Sequence, residues 1–381
     1  LSFFLSYMAC MKVFIGAGIL ATPYAARTSG YMGLTFAMVV CALCIGVGVH
    51  FLVVVKRNLG SEPDAGYPKI AETVLGSAGG LVVTVSLLFS QIGVCCAYHI
   101  FLAKTVDSVF SGSVYTWAAI LAALPLFGAV YLAHNHTTAL GIMSTVGMIL
   151  EGAVLVFILM YGVFFSCEGS DCWSWVDVDV VSLPFTLGIA LFAMEGVFSV
   201  MSVESIMEEP ERFSTALNAS IATATAMLVV FGIVGAACYG SATTPMITLA
   251  IPARLGDAAT LVFAVALLCS YPLQLYPVMQ WQAVFIDSNW VDSSRHMQQL
   301  ALVLDVGFTC FIAAAFPHFG RMLSLIGCVG FALGGVVMPP IIYAVWREVE
   351  QLTASEKVGL GGLSLWGVFM MCAGVYANLT V

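Results

Sequence analysis

Four ionisable side chains lie inside long apolar stretches of the sequence: Lys12, His99, Glu151 and Glu195. A charge at mid-bilayer costs at least about 2.5 kcal/mol, so such residues default to a functional role. Glu195 is a candidate to carry a proton or to sense a ligand's ammonium group. Lys12 either pairs with an acid to hold a gate or extends toward the membrane surface. His99 and Glu151 are candidate members of a proton relay. Internal hydrogen bonds are the alternative for both and are preferred for His99.

Helix-breaking residues accompany two of these charges. Gly16, Gly18 and Pro23 follow Lys12, and Glu195 stands between Met194 and Gly196. A glycine inside a helix costs about 1 kcal/mol relative to alanine. Lipid cannot bond the peptide groups that a break exposes, so a break must face protein, a water-filled cavity or a ligand. Small residues also permit close helix packing, which is the alternative for either stretch alone.

The elements that position these residues are membrane-spanning helices. The 381-residue chain is 61% hydrophobic and 9% charged, with a mean hydropathy of +1.03. Soluble domains carry about 25% charged residues, so this chain needs lipid as its solvent. We predict eleven apolar segments over residues 4–27, 31–55, 79–110, 114–133, 137–165, 182–206, 215–240, 257–286, 298–316, 322–346 and 359–379. Continuous runs of this length favour helices over a barrel.

The arrangement of these segments predicts a repeat. The interrupted segments, the first and the sixth, each open one of two successive five-helix halves, at residues 1–165 and 182–346. Interruptions at corresponding positions are the best sequence indication of a midplane binding site in an inverted-repeat transporter. We therefore predict one transmembrane domain over residues 1–381, with an additional helix at 359–379.

Several classes are disfavoured by the same sequence. The net charge of −9 comes without a basic patch, so we expect no nucleic-acid partner. We expect no enzyme and no metal or cofactor, because metal-ligand spacings, a nucleophile elbow and a phosphate-binding loop are all missing from the sequence. No cleavable signal peptide is recognised. The sequence does not specify an oligomeric state.

Two cysteines differ from the others of the chain. Most of the twelve lie in apolar segments, where they act as small hydrophobic residues. Cys167 and Cys172 lie in the polar stretch SCEGSDCWSW. In an oxidising compartment they are candidates for a disulfide, with each other or with Cys238, and two free thiols are the alternative.

The distribution of basic residues favours a cytosolic N-terminus. With that orientation, the cytosolic side carries Lys56, Arg57, Lys69, Arg212, Arg295, Arg347 and Lys357. The opposite side carries the smaller set Arg27, Lys104, Arg254 and Arg321. This is the direction that the positive-inside rule predicts.

Five motifs together resemble the amino acid/auxin permease family of the APC superfamily, and within it the proton-coupled amino acid transporters. KVFIGAGILATPYA is similar to the family's first-helix pattern through Lys12, Gly16, Gly18, Leu20 and Pro23. FAMEGVFSVMSVESIMEEP is similar to the sixth-helix signature through Phe192, Glu195, Gly196, Glu204 and Pro210. YPKIAETVLG, SYPLQLYPV and SLIGCVGFALGGVVMPP resemble further family stretches, so the resemblance covers nearly the whole chain.

The resemblance implies a LeuT-type, all-α fold of eleven transmembrane helices with discontinuous first and sixth helices. It implies secondary active symport of small neutral amino acids in a plasma, lysosomal or vacuolar membrane. Two departures bear on the coupling ion, which is a proton or sodium. Ala9 stands where proton-coupled members have histidine, and Glu204-Ser205 stands where the family has Glu-Asn.

An amino acid presents a carboxylate and an ammonium group, and the interruptions offer a partner to each. The N–H groups of Gly16, Ala17 and Gly18, where the first segment restarts, are expected to bind the carboxylate. The carbonyls of Ala193 and Met194 are expected to accept from the ammonium. The substrate site also includes Glu195, and its walls are assigned to Ile92, Cys96, Phe192, Met194, Phe198, Tyr271 and Gln274. Ordinary helix packing is the alternative for each wall residue and is preferred for any one of them taken singly.

Two other functions stay open on the same scaffold. One is an auxin-like indole acid or a polyamine as cargo, although a polyamine needs several pocket acids and Glu195 is the main one. The other is an amino-acid sensor with little flux, which usually relies on long polar tails.

Overall fold

The computed structural model describes residues 2–59, 66–109, 114–135, 137–166, 174–205, 207–289 and 294–380. These residues form helices joined by short connections. In chain order the α-helices are α1 Phe3–Phe14, α2 Thr22–Ser29, α3 Tyr31–Asn58, α4 Tyr67–Val109, α5 Tyr115–Asn135, α6 Thr137–Tyr161, α7 Leu183–Ala193, α8 Val200–Ser205, α9 Phe213–Tyr239, α10 Ala253–Asn289, α11 Ser294–Ala315, α12 Phe319–Ile326, α13 Met338–Trp346 and α14 Ala354–Thr380. The segment between α12 and α13 is wound more widely, as π-helix, so these two helices form one span.

Nine helices within the described ranges are long and apolar enough to cross a membrane. The bent pair formed by Phe3–Phe14 and Ala17–Ser29 makes a tenth span. Leu183–Ala193, a shorter apolar helix, begins the sixth predicted segment. The chain is therefore a multi-pass membrane protein, and the predicted all-helical architecture is confirmed.

The first span breaks at its glycines. α1 ends at Phe14, and the next two residues are extended, Ile15 at φ −121° and ψ 96° and Gly16 at φ −107° and ψ −172°. A 3₁₀ turn over Ala17–Ala21 then leads into α2, and the two halves are bent by 50°. Pro23 lies in the first turn of α2, where its missing N–H costs no helical hydrogen bond.

The sixth span breaks beside its acid. α7 ends at Ala193, and Met194 leaves the helical region at φ −107° and ψ 45°. A 3₁₀ turn over Glu195–Phe198 follows, and α8 continues the chain. Both predicted discontinuities, in the first and sixth spans, are thus present.

One helix carries a further kink that divides it. Gly76 in α4 adopts φ 73° and ψ −172°, a conformation that favours glycine. Residues 67–75 therefore form a short helix before the long apolar part of α4, which begins at residue 77.

The chain divides into two compact units. The first consists of Leu1–Ser90, Trp175–Ala236 and Leu323–Val381. In this unit α7 packs against α3 and against the π-helical turn Gly327–Phe331. A side chain at Gly188 would meet the Ser324 carbonyl, and one at Gly327 would meet the Gly188 carbonyl. Small residues thus let these backbones approach closely.

The second unit consists of Gln91–Ser174 and Ala237–Met322. Its centre is α10, which packs against α5, α6 and α11. Gly147 of α6 lies against the Ala266 carbonyl and the Ser270 side chain, again with no room for a larger residue. Phe101 of α4 packs against Phe263 of α10, with ring centroids 5.3 Å apart.

Candidate functional site

The two breaks face each other inside the first unit, and glycines form the contact. The carboxyl group of Glu195 fills the place where a side chain on Gly16 would lie. A Cβ atom on Gly18 would lie 2.7 Å from the Cα atom of Ala193, and one on Gly196 would lie 2.7 Å from the Phe14 ring. Each break therefore needs a glycine to let the other approach. The sequence assigned Gly16 and Gly18 a binding role, and the structure adds a packing role for both and for Gly196.

The restart of the first span offers N–H groups that have no carbonyl partner within their own helix. Ile19 N–H donates to the Gly16 carbonyl at 3.2 Å, which closes the first turn of the second half. The N–H groups before it, on Gly16, Ala17 and Gly18, belong to a helix start, where no intrahelical carbonyl is in reach. The Glu195 carboxyl, 7% exposed, thus lies at the positive end of this helix, where a negative charge is stabilised.

The bulky residues near the sixth break are buried. Phe192 and Phe198 both contact Phe331, with ring centroids 6.1 Å and 6.0 Å away. Phe198 also stacks on Tyr67 at 5.9 Å, and Met194 is fully buried. These contacts hold the first unit together around the break and give it an apolar surrounding.

The remaining predicted wall residues belong to the second unit. Cys96 and Tyr271 are buried there, and Ile92 and Gln274 are partly exposed. The Tyr271 hydroxyl lies 2.9 Å from Thr309 Oγ1 of α11. The structure thus gathers Gly16, Ala17, Gly18, Phe192, Ala193, Met194, Glu195 and Phe198 in one unit, and Ile92, Cys96, Tyr271 and Gln274 in the other.

Two of the relay candidates have hydrogen-bond partners in the second unit. His99 is fully buried, with Nδ1 3.1 Å from Thr309 Oγ1 and Nε2 2.9 Å from the Ala119 carbonyl. Ser270 donates to Glu151 at 3.1 Å. For His99 this is the internal hydrogen bonding that the sequence favours.

An ion cluster in the first unit, formed by the buried Lys56 and Glu204 and the more exposed Arg57, was not predicted from the sequence. Lys56 Nζ lies 3.1 Å from Glu204 Oε2, and Arg57 Nε lies 2.8 Å from Glu204 Oε1. Lys56 also donates to the Met201 carbonyl at 3.3 Å, and Arg57 donates to the Pro210 carbonyl. The cluster ties the end of α3 to α8, the half-helix after the sixth break. The sequence signal for this cluster was an acid, Glu204, near the end of one apolar segment and two bases, Lys56 and Arg57, at the end of another.

The suggested disulfide involves cysteines that the structure does not describe. Cys167 and Cys172 lie outside the described residues. Cys238 is a buried free thiol, and its suggested pairing stays a prediction because both possible partners lie outside the described residues. Across the described ranges, His, Cys, Asp and Glu form no group of three that could hold a metal ion.

Known proteins resemble this chain over most of its length. Amino acid transporter AVT3A of Arabidopsis thaliana is 28% identical over 349 residues, covering 86% of this chain and 78% of the relative. Amino acid transporter AVT1B of the same plant is 26% identical, covering 87% of this chain and 62% of the relative. Amino acid transporter ANT1, also from Arabidopsis thaliana, is 25% identical, covering 85% and 80%.

The chain also resembles a solved structure in its fold and matches a family model over nearly its whole length. The inward-facing conformation of Mhp1 has a TM-score of 0.57 and 13% identity to this chain, covering 99% of it and 88% of Mhp1. This likeness concerns the fold alone and confirms the predicted LeuT-type architecture. The model of the family described as transmembrane amino acid transporter protein matches residues 1–380. The chain therefore belongs to the transmembrane amino acid transporter family, as its motifs predicted, and is not an enzyme.

Proposed function

We propose that this protein is a secondary active transporter that moves small neutral amino acids across a membrane by alternating access, coupled to protons. The observation that carries the proposal is the contact between the two broken spans, with the Glu195 carboxyl against Gly16. Paired breaks place unbonded peptide groups where a zwitterion needs them.

The substrate's charged groups have separate partners in this proposal. The N–H groups of Gly16, Ala17 and Gly18 bind the carboxylate, aided by the dipole of the restarting helix. The carbonyls of Ala193 and Met194 accept from the ammonium group. The apolar surroundings of Phe192, Met194 and Phe198 favour a neutral side chain over a charged one.

The position of Glu195 supports proton coupling. Its carboxyl lies at the same helix start that would receive the substrate carboxylate. Two carboxylates in one site repel, so one of them is stabilised by taking up a proton. Substrate binding and protonation of Glu195 would then favour each other, which is the thermodynamic requirement for symport.

The remaining parts of the machinery are proposed from the candidates that the sequence offered, choosing the coupling or gating role where an alternative was open. Lys12, His99 and Glu151 are coupling or gating residues, and the N-terminus is cytosolic. The membrane is a plasma, lysosomal or vacuolar one. Residues 1–165 and 182–346 form the inverted repeats.

The test is uptake into proteoliposomes of the purified protein. A panel of labelled amino acids, an indole acid and a polyamine is offered with an inward proton gradient, an inward sodium gradient, or neither. The proposal expects uptake of small neutral amino acids that the proton gradient stimulates. Uptake that only the sodium gradient stimulates would show that sodium, and not the proton, is the coupling ion. Uptake of the indole acid or the polyamine in place of amino acids would overturn the substrate class, and saturable binding without uptake would indicate a sensor.

A further inference from the structure

A hydrogen-bond junction in the second unit joins three helices through one hydroxyl group and reaches a fourth through His99. Thr309 Oγ1 of α11 lies 3.1 Å from His99 Nδ1, 2.9 Å from the Tyr271 hydroxyl and 2.9 Å from the Val306 carbonyl. The other nitrogen of His99 reaches the Ala119 carbonyl of α5 at 2.9 Å. Thr309 is 1% exposed, and His99 and Tyr271 are fully buried. No feature of the sequence singles out Thr309.

The donors at this junction follow from the acceptors. A carbonyl oxygen only accepts, so His99 Nε2 carries a hydrogen directed at Ala119. In the neutral ring Nδ1 is then an acceptor, and Thr309 donates to it. In the charged ring Nδ1 is a donor, and Thr309 must accept from it.

Thr309 has a partner for its single hydrogen in both cases. With a neutral His99 the hydrogen points to Nδ1, and with a charged His99 it points to the Val306 carbonyl. The Tyr271 hydroxyl can donate to Thr309 Oγ1 in either case. Protonation of His99 therefore requires rotation of one hydroxyl hydrogen and leaves no nitrogen of the ring without a partner.

We propose that Thr309 is a positioning residue that lets the buried His99 take up and release a proton. The inference rests on the proposed proton coupling and deepens it. Other ionisable groups in the surroundings are Asp305 of α11, Cys95 and Cys96 of α4, which interact electrostatically with Tyr271, and Tyr115 of α5.

The variant that tests this junction is Thr309→Val, which keeps the shape and removes the hydroxyl. A proton on His99 Nδ1 would then lack its acceptor, and a lost hydrogen bond to a charged group changes an equilibrium by about tenfold or more. Thr309→Ser restores the hydroxyl and should restore wild-type behaviour. Thr260→Val is the matched control, because Thr260 is also buried in this unit but donates to the Gly256 carbonyl of its own helix.

Two measurements separate this inference from the proposed function. Solid-state ¹⁵N NMR of histidine-labelled protein in lipid vesicles follows Nδ1 of His99 directly, with His99→Gln assigning the signal. Nδ1 should change between its neutral and protonated signals within about pH 4–9 in wild type, Thr309→Ser and Thr260→Val. In Thr309→Val the change should require roughly tenfold more acid. Uptake against pH should show the same displacement, to lower pH by about one unit.

Each outcome decides one of the two claims. An Nδ1 signal that responds identically in wild type and Thr309→Val, or that never changes in wild type, overturns the role of Thr309. A displaced NMR response with an unaltered pH profile of uptake overturns the coupling role and leaves Thr309 as the partner of the His99 proton. If Thr309→Val is not recovered folded, Thr309→Ala is measured in its place.

Discussion

Lys56 Nζ lies 3.1 Å from Glu204 Oε2, and the two side chains are only 8% and 6% exposed. Arg57 reaches the other carboxylate oxygen of Glu204 at 2.8 Å. The pair connects the last turns of α3 with α8, so it fixes the half-helix that follows the sixth break. Because both side chains are buried, water cannot solvate one charge if the other is removed. Removing either charge should therefore destabilise the fold.

Replacing Glu204 with glutamine should therefore destabilise the protein. The change leaves Lys56 buried without its counter-charge, which costs about 3–5 kcal/mol. Glu209→Gln is the control, because the Glu209–Arg212 pair is 55% and 57% exposed and such pairs contribute about 0–1 kcal/mol. Thermal unfolding in detergent measures both. An equal fall of the unfolding temperature in the two variants would show that the Glu204 cluster contributes no more stability than an exposed ion pair.

A side chain at Gly18 should weaken substrate binding. Its Cβ atom would overlap the backbone of Ala193, so Gly18→Val forces the two breaks apart. Such overpacking costs about 1–3 kcal/mol, and binding should fall by roughly tenfold or more. Equilibrium binding of the amino acid transported best is the measurement. Gly152→Val serves as the control, because nothing lies within 4 Å of a Cβ atom there. If Gly18→Val bound the amino acid with wild-type affinity, the first break would not be part of the binding site.

The coupling role of Glu195 makes a separate prediction. Glu195→Gln keeps the shape of the side chain but cannot exchange a proton. Uptake should no longer respond to a proton gradient, whereas exchange of labelled for unlabelled amino acid across the membrane should persist. Glu72→Gln, at an exposed acid paired with Lys69, should behave as wild type. Retained gradient-driven accumulation in Glu195→Gln would assign coupling to another group.

Close packing of α7 on the span formed by α12 and α13 predicts a further effect on stability. Gly327→Ala would press a methyl group onto the Gly188 carbonyl, and overpacking of this kind costs about 1–3 kcal/mol. Gly128→Ala, where a Cβ atom meets nothing, should leave stability unchanged or slightly raised. Unfolding temperatures of the two variants check this. If Gly327→Ala were as stable as wild type, the two backbones must lie further apart than described.

The positions of the two breaks could be predicted because their signals are local. Glycines at Gly16 and Gly18, and a charge beside Gly196, are conspicuous within an apolar segment. The burial of Phe192 and Phe198 against Phe331 could not be foreseen, because any aromatic residue in a span can face a pocket or a neighbouring helix. The sequence assigned both to pocket walls, and the structure packs both into the first unit.

The contacts that the sequence analysis did not predict are mainly those between residues far apart in the chain. Arg57 and Glu204 are 147 positions apart, and Lys56 and Arg57 were understood as charges at the cytosolic end of a span. Thr309 was missed for another reason. Buried hydroxyls such as Thr105 and Thr260 bond the backbone of their own helix, and composition cannot distinguish them from one that bridges helices.

The central claim is that the breaks of the first and sixth spans grip the amino acid together. Electron cryo-microscopy of the protein in lipid nanodiscs, saturated with the amino acid that it takes up best, tests this claim directly. We predict ligand density between the N–H groups of Gly16 to Gly18 and the turn Ala193 to Glu195. Ligand density at any other place, or continuous helix through Gly16 and Met194, would contradict the account.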